Sequence, residues 1–179
     1  MVSNLDKNIT KKLFDYLKDG KFLSQNYPNK DISKLYRYCE KYSEDIKELF
    51  SYIGVEFKLS NGYCYFATYE NKEQKLQTIY DMIDLLGFFY HFDPMFGVGS
   101  RFSVNDIENK IKDDITLKIK LDRLKNTSGD KLSDNILSVI SKLEKRGYIA
   151  LEDEYLQRYM VLDSCEYLID FFNKIEIKQ

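Results

Sequence analysis

The sequence predicts an α+β fold, mostly helical, built from two units of one plan: three helices followed by a β-hairpin. Three observations predict it. Apolar residues recur at helical spacing along most of the chain. Residues 55–69 and 148–162 switch to short strand-like runs around turn residues. Gly and Pro number only 8 and 2 among 179 residues, against 31% charged. With 44% hydrophobic and 15% aromatic residues, the chain can bury a core and is not globally disordered.

In the first unit, Ile9, Leu13, Phe14 and Leu17 mark a helix that stops near Gly20. Residues 21–30 read as a loop around Tyr27-Pro28-Asn29. Asp31 reads as the N-cap of a second helix, with Ile32, Leu35, Tyr36 and Cys39 on its apolar stripe. Ser43 reads as the cap of a third, with Glu44 and Asp45 in its first turn and Ile46, Leu49, Phe50 and Ile53 inward. Gly54 closes it. Residues 55–59 alternate apolar and polar, as a half-buried strand does. Asn61-Gly62 predicts a type I′ hairpin turn, which needs positive φ at both central positions. Residues 63–69 form the return strand.

Glu70-Asn71-Lys72 is the expected boundary, giving units of residues 1–70 and 71–179. A long helix follows, with Leu76, Ile79, Tyr80, Ile83 and Leu86 on one side, and Asp93-Pro94 ends it. Ser103 to Asp106 has the form of a capping box, with Val104, Ile107 and Ile111 facing inward. Ile115, Leu117, Ile119 and Leu121 alternate like a strand, but Leu117, Leu121 and Leu124 fit a helix, and the helix is preferred. Residues 126–130 form a turn. Leu132, Ile136, Val139, Ile140 and Leu143 make one helical face, ended by Lys145-Arg146-Gly147. Residues 148–151 and 155–162 pair across Glu152-Asp153-Glu154. Tyr167, Leu168, Phe171, Phe172 and Ile175 mark a closing helix. A helix feeding a hairpin through Lys145-Arg146-Gly147-Tyr148-Ile149 is how a winged helix ends. Tandem winged-helix domains are therefore expected, alike in pattern but not in residue identity.

The residue inventory argues against chemistry. Cys39, Cys64 and Cys165 are odd in number and widely spaced, which suits free thiols in a reducing compartment. One His and three scattered Cys offer no pair at metal-ligand spacing. His91, within Phe88-Phe89-Tyr90-His91-Phe92, reads as a packed or hydrogen-bonded histidine. There is no G-x-S-x-G and no phosphate-binding loop; Gly97-Val98-Gly99 lacks a third glycine. Asp113-Asp114 and Glu152-Asp153-Glu154 read as solvated turns. No catalytic residue, metal or cofactor is expected. The polar start of the chain and an apolar run limited to residues 85–92 predict no membrane span and a cytoplasmic protein.

Binding is the remaining class. The net charge is −2, so any contact with DNA must be local. Lys110, Lys112, Lys118, Lys120, Arg123 and Lys125 lie in a segment of net charge +3 and are candidate phosphate contacts. Lys131, Lys142, Lys145 and Arg146, with Asn135 and Ser138 between them, form a weakly basic face on the 132–146 helix. The matching helix of the first unit carries Glu44, Asp45, Lys47 and Glu48 and is net acidic. Tyr36, Tyr38, Tyr42 and Tyr52 make that unit the candidate protein-binding half.

Leu49-Phe50-Ser51-Tyr52-Ile53-Gly54-Val55-Glu56-Phe57 leading to Gly62-Tyr63-Cys64-Tyr65-Phe66 resembles the kite subunits of bacterial SMC complexes. So does Leu143-Glu144-Lys145-Arg146-Gly147-Tyr148-Ile149 leading to Tyr159-Met160-Val161-Leu162. The resemblance is to the MukE/MksE-like group, including the kite subunit of Wadjet plasmid-defence systems, and covers residues 13–175. It implies a homodimer that grips a kleisin-like subunit, which in turn holds an SMC-like ATPase. It also implies DNA contacts by the kite subunits and no catalytic residues of their own; in the Wadjet type a separate subunit cuts the DNA. The acidic balance departs from what a DNA-clamping subunit is expected to show. The rival reading is a winged-helix transcription regulator acting alone, for which only the 132–146 helix could read DNA.

Overall fold

The computed structural model describes residues 5–67, 72–124 and 131–176. The expected boundary at 70–71 and the turn at 126–130 lie outside them, as does Lys125. Among the described residues the order is α1 (Lys7–Leu17), β1 (Leu23–Ser24), α2 (Lys30–Lys41), α3 (Ser43–Ser51), β2 (Glu56–Ser60) and β3 (Tyr63–Ala67). Then follow α4 (Lys72–Phe92), β4 (Arg101–Ser103), α5 (Val104–Asp113), α6 (Ile115–Leu124), α7 (Leu132–Arg146), β5 (Ile149–Asp153), β6 (Arg158–Val161) and α8 (Cys165–Glu176). The chain is mostly helical, with two small antiparallel sheets.

The sheets are connected alike. In one the strand order is β1-β3-β2, in the other β4-β6-β5. Each begins with a short strand placed between the first helix and the later ones, and that strand pairs with the last. Leu23 lies opposite Cys64, and Phe102 opposite Tyr159. Residues 23–24 were expected in a loop, and no strand was expected at 101–103. The second unit also departs from three helices before its hairpin, since α4, α5, α6 and α7 precede it.

Local chemistry explains most boundaries. The N-cap of α2 is Asn29, not Asp31: its side chain accepts from the backbone N–H groups of Asp31 and Ile32. Asp31 sits in the first turn, where its charge suits the helix dipole. Ser43 is the first residue of α3 and makes no cap; Tyr42 precedes it with no side-chain cap bond. Ser103 and Asp106 form the reciprocal capping box of α5. The segment 115–124 is helical, so Leu117 and Leu121 are buried while Ile115 and Ile119 face out. Tyr80 on α4 is also exposed, and the buried residues among its described side chains are Leu85, Leu86, Phe88 and Phe89; the side chains of Leu76 and Ile79 lie outside the described ones.

The Asn61-Gly62 turn is not type I′. Gly62 has φ 87° while Asn61 stays at negative φ, since Gln157 is the one described non-glycine residue above zero. The Gly62 N–H donates to the Tyr36 hydroxyl at 3.1 Å, and its carbonyl accepts from Gln25 at 2.8 Å. Those tertiary bonds, rather than strand twist alone, select the turn.

Two cores result. One gathers Leu13, Leu17, Tyr36, Cys39, Ile46, Phe50 and Phe66 within the first unit. The larger holds α4 to α8 but also takes Phe22 and Tyr63 from the first unit. Phe22 is the joint. Its ring lies 5.0 Å from that of Tyr148 and 5.1 Å from that of Tyr167. Its backbone N–H donates to the Arg146 carbonyl at 2.8 Å. Nearby, Asn26 and Asp163 exchange two bonds, backbone N–H to side-chain oxygen each way, at 3.1 and 2.9 Å. The Ser164 N–H donates to the Ser24 hydroxyl at 3.1 Å.

Gly147 is where this seam meets a helix stop. Its φ is 77°. Its N–H reaches Glu144 and that of Tyr148 reaches Leu143, the paired bonds that end a helix at a left-handed residue. A Cβ here would lie 2.3 Å from the Phe22 carbonyl oxygen. The sequence pattern required a glycine to stop α7; the structure adds that the other unit's backbone fills the space of a side chain.

Candidate functional site: a basic ridge and an aromatic half

The candidate phosphate contacts lie on α5 and α6, joined at Asp114; residues 104–124 carry five basic and five acidic side chains. Asp114 caps α6 by accepting from the Leu117 N–H at 2.9 Å, and its other oxygen meets His91 Nε2 at 3.0 Å. The backbone bond from Leu117, helped by His91, holds its carboxyl below the usual range. His91 is thus a hydrogen-bonded, partly exposed residue that ties α4 to the α5–α6 corner.

Around this corner Lys110, Lys112, Lys118 and Arg123 are exposed. Lys112 donates to Asn109 of its own helix at 2.9 Å. A groove of about 480 Å³ separates α5, α6 and the start of α7, and Lys112, Lys118, Ile115 and Asp122 line it. Lys131, just before α7, is exposed. Lys120 is half-buried, with its ammonium directed at the Gly87 carbonyl of α4, 3.5 Å away.

The structure does not bring the rest of the expected set together. Lys142 is half-buried and donates to the Leu124 carbonyl, so it caps the end of α6. Arg146 turns toward the first unit: its guanidinium lies 3.3 Å from where a Gly20 side chain would start. Lys145 is exposed but stands fourteen residues from Lys131, about 21 Å along a helix. Between them Asn135 is buried and Ser138 half-buried, because α7 packs on α5 and α6. As a groove-reading surface, α7 is largely spent on the core.

The hairpin tip of β5 and β6 is less acidic than it reads. Glu152 is held by Arg101 at 2.9 Å and Arg158 at 3.2 Å. Asp153 accepts from the Leu156 N–H at 2.9 Å. What protrudes is Tyr155, 95% exposed, beside Leu156. Sequence reasoning missed this tip, and also Ile115 and Ile119. The latter pair was legible: four residues apart, they must share the face opposite Leu117 and Leu121 once the segment is helical.

The tyrosines of the first unit divide. Tyr36 is 2% exposed. Its hydroxyl is committed to Gly62 and the Ser60 carbonyl, so it builds the hairpin and offers no surface. Tyr38 and Tyr42 are half-buried, with rings 4.9 Å apart, and the Lys41 ammonium lies over Tyr42. Tyr52 is 72% exposed next to Ile53 at 61%. Its hydroxyl donates to Glu48 at 2.9 Å.

Among the described residues, reactive side chains do not converge: no three of His, Cys, Asp and Glu stand where they could share a metal ion. The three cysteines are free and buried. Burial pushes the Cys165 thiol up to about 12 and moves Cys64 in the same direction, which disfavours the nucleophilic thiolate. No described helix is long and apolar enough to cross a membrane.

Residues 8–172 match the family model of condensin complex protein MksE. The chain belongs to the MksE family. As such it is a MukE-like kite subunit, a component of condensin-like SMC assemblies that associates with their other subunits. No curated protein matches it.

Proposed function

We propose that this MksE-family chain is a non-catalytic kite subunit, built of two winged-helix domains, that pairs with a second copy, holds a kleisin-like subunit and touches DNA along α5 and α6. The observation that carries the reading is the repeated path of helix, strand, helices and two strands. Its sheet orders, β1-β3-β2 and β4-β6-β5, are what a winged helix has. The seam at Phe22 supports a rigid two-domain arm rather than two tethered beads.

DNA contact is assigned to Lys110, Lys112, Lys118 and Arg123, with Lys131, exposed just before α7, as a further candidate. Four or five exposed cations can release counterions on phosphate without making the whole chain basic. The kleisin-like subunit is assigned to the first domain, where Tyr38, Tyr42 and Tyr52 provide amphipathic rings suited to an interface core. Through it the chain would join an SMC-like ATPase, in chromosome organisation or in plasmid defence.

Affinity capture of the tagged chain from its own host, read by mass spectrometry, tests this. Recovery of a kleisin-like protein and an SMC-like ATPase is the expected result. Recovery of the chain alone would contradict it and favour a self-sufficient regulator.

A further inference from the structure

We propose that β2 is the strand through which two copies of this chain join, edge to edge and antiparallel, about a two-fold axis at Phe57. The inference rests on the homodimer reading above and gives it a surface.

The two sheets leave four edge strands: β1, β2, β4 and β5. Three are blunted in ways that discourage pairing. β1 has two residues and β4 three. β5 is bulged between Leu151 and Asp153. β2 differs: its five residues keep an unbroken register with β3. Among the described residues, the groove beside it is walled by α3, the turn after α3, and β2 itself.

The register fixes which backbone groups are free. Ser60 faces Tyr63 across a two-residue turn, so Ser60, Lys58 and Glu56 aim their N–H and C=O groups at β3. Those of Phe57 and Leu59 aim outward. Centring an antiparallel copy on Phe57 lets the two Phe57 residues exchange two hydrogen bonds. Each Leu59 N–H then reaches the Val55 carbonyl of the second copy. The Val55 N–H is not needed; it already donates to Phe50 within the chain, at 3.0 Å.

The same register settles the side chains. Glu56 comes opposite Lys58 of the second copy, and Lys58 opposite its Glu56. These are non-hydrogen-bonded positions, where cross-strand side chains approach most closely. Glu56 and Lys58 are both exposed and already pair along their own strand. Centring the axis on Lys58 or on Glu56 would instead set like charges face to face. Ile53, exposed at the turn into β2, adds apolar area beside the joint.

The test is sedimentation equilibrium of the full chain as wild type, Glu56→Lys, Lys58→Glu and the double swap, with circular dichroism to check folding. Each single swap turns both cross-strand pairs repulsive, and the dimer Kd should rise about tenfold. The double swap restores opposite charges and should restore the dimer. In parallel, hydrogen exchange should show the Phe57 and Leu59 amides gaining protection with protein concentration, while Lys58 and Ser60 are protected throughout. A dimer indifferent to both single swaps would overturn the β2 joint and leave the homodimer standing. A wild-type chain that stays monomeric would overturn both. Protection of Phe57 and Leu59 only on adding a kleisin-like subunit would overturn the second copy as occupant and give the edge to a partner strand.

Discussion

The first unit, α1 to β3, and the second, α4 to β6, share the path helix, strand, helices, hairpin, with one more helix in the second, yet they present different exteriors. On the first, α3 carries Glu44, Asp45 and Glu48, and its lone lysine, Lys47, is paired with Glu44 at 2.7 Å. Its edge strand β2 is regular, and among the described residues no strand pairs with its free edge. On the second, α5 and α6 present exposed Lys110, Lys112, Lys118 and Arg123, while the edge strands are short or bulged. The chain path is set by what faces inward: the apolar stripes, the caps and the seam. The surfaces are free to diverge because no inward contact depends on them. In the proposed reading, that divergence lets one architecture serve a protein partner on one half and phosphate on the other.

The largest test of the comparison removes the joint between the halves. Gly147→Val places a β-branched residue at φ 77° and drives its Cβ into the Phe22 carbonyl. A loss of more than about 3 kcal/mol is expected, enough to unfold the second unit or part it from the first. Gly147→Ala should be nearly as damaging, because the clash belongs to the Cβ. Thermal melts of both variants check this, and a mild Gly147→Ala would show that the seam yields.

Tyr36→Phe attacks the first unit alone. It strips the acceptor from the buried Gly62 N–H and should cost about 1–3 kcal/mol in denaturant unfolding. A neutral result would mean that water replaces the hydroxyl and that the turn is set by strand twist.

A smaller effect sharpens the account of the seam. Burial pushes the Asp163 carboxyl up, so its charged form is the less favoured one in the fold. Below the ordinary carboxylate value of 3.8 the group is neutral folded or unfolded, and no cost arises. As pH rises through the raised folded value, ionisation costs stability. Asp163→Asn keeps an oxygen for the Asn26 N–H and never ionises. Its melting temperature at pH 7 should exceed the wild type by on the order of 1 °C, a gap that closes below pH 3.8. A gap that widens toward acid would mean the carboxylate is stabilising.

Much of the architecture was legible locally. The Gly147 stop, the Ser103 capping box and the helical reading of 115–124 each rest on residues a few positions apart. The strands β1 and β4 were not, because two or three residues carry no period, and their existence depends on partners about forty to sixty positions away. The seam was invisible for the same reason: Asn26 and Asp163 stand 137 residues apart. Within the candidate sites, exposure separated look-alikes. Tyr36 falls on the Ile32, Leu35, Cys39 stripe, and that stripe was the better guide to its place than its residue type. Lys120, Lys142 and Arg146 read as free cations, but three-dimensional packing turns them toward carbonyls and toward the first unit.

The division of labour is tested most directly by the salt dependence of DNA binding, comparing the wild-type chain with Lys112→Glu/Lys118→Glu. These two lysines flank the groove and are exposed, so folding should be preserved. The account predicts weaker binding and a log–log salt slope shallower by about two, with self-association unchanged. An unchanged slope would remove α5 and α6 from DNA contact and leave the second unit without its assigned role.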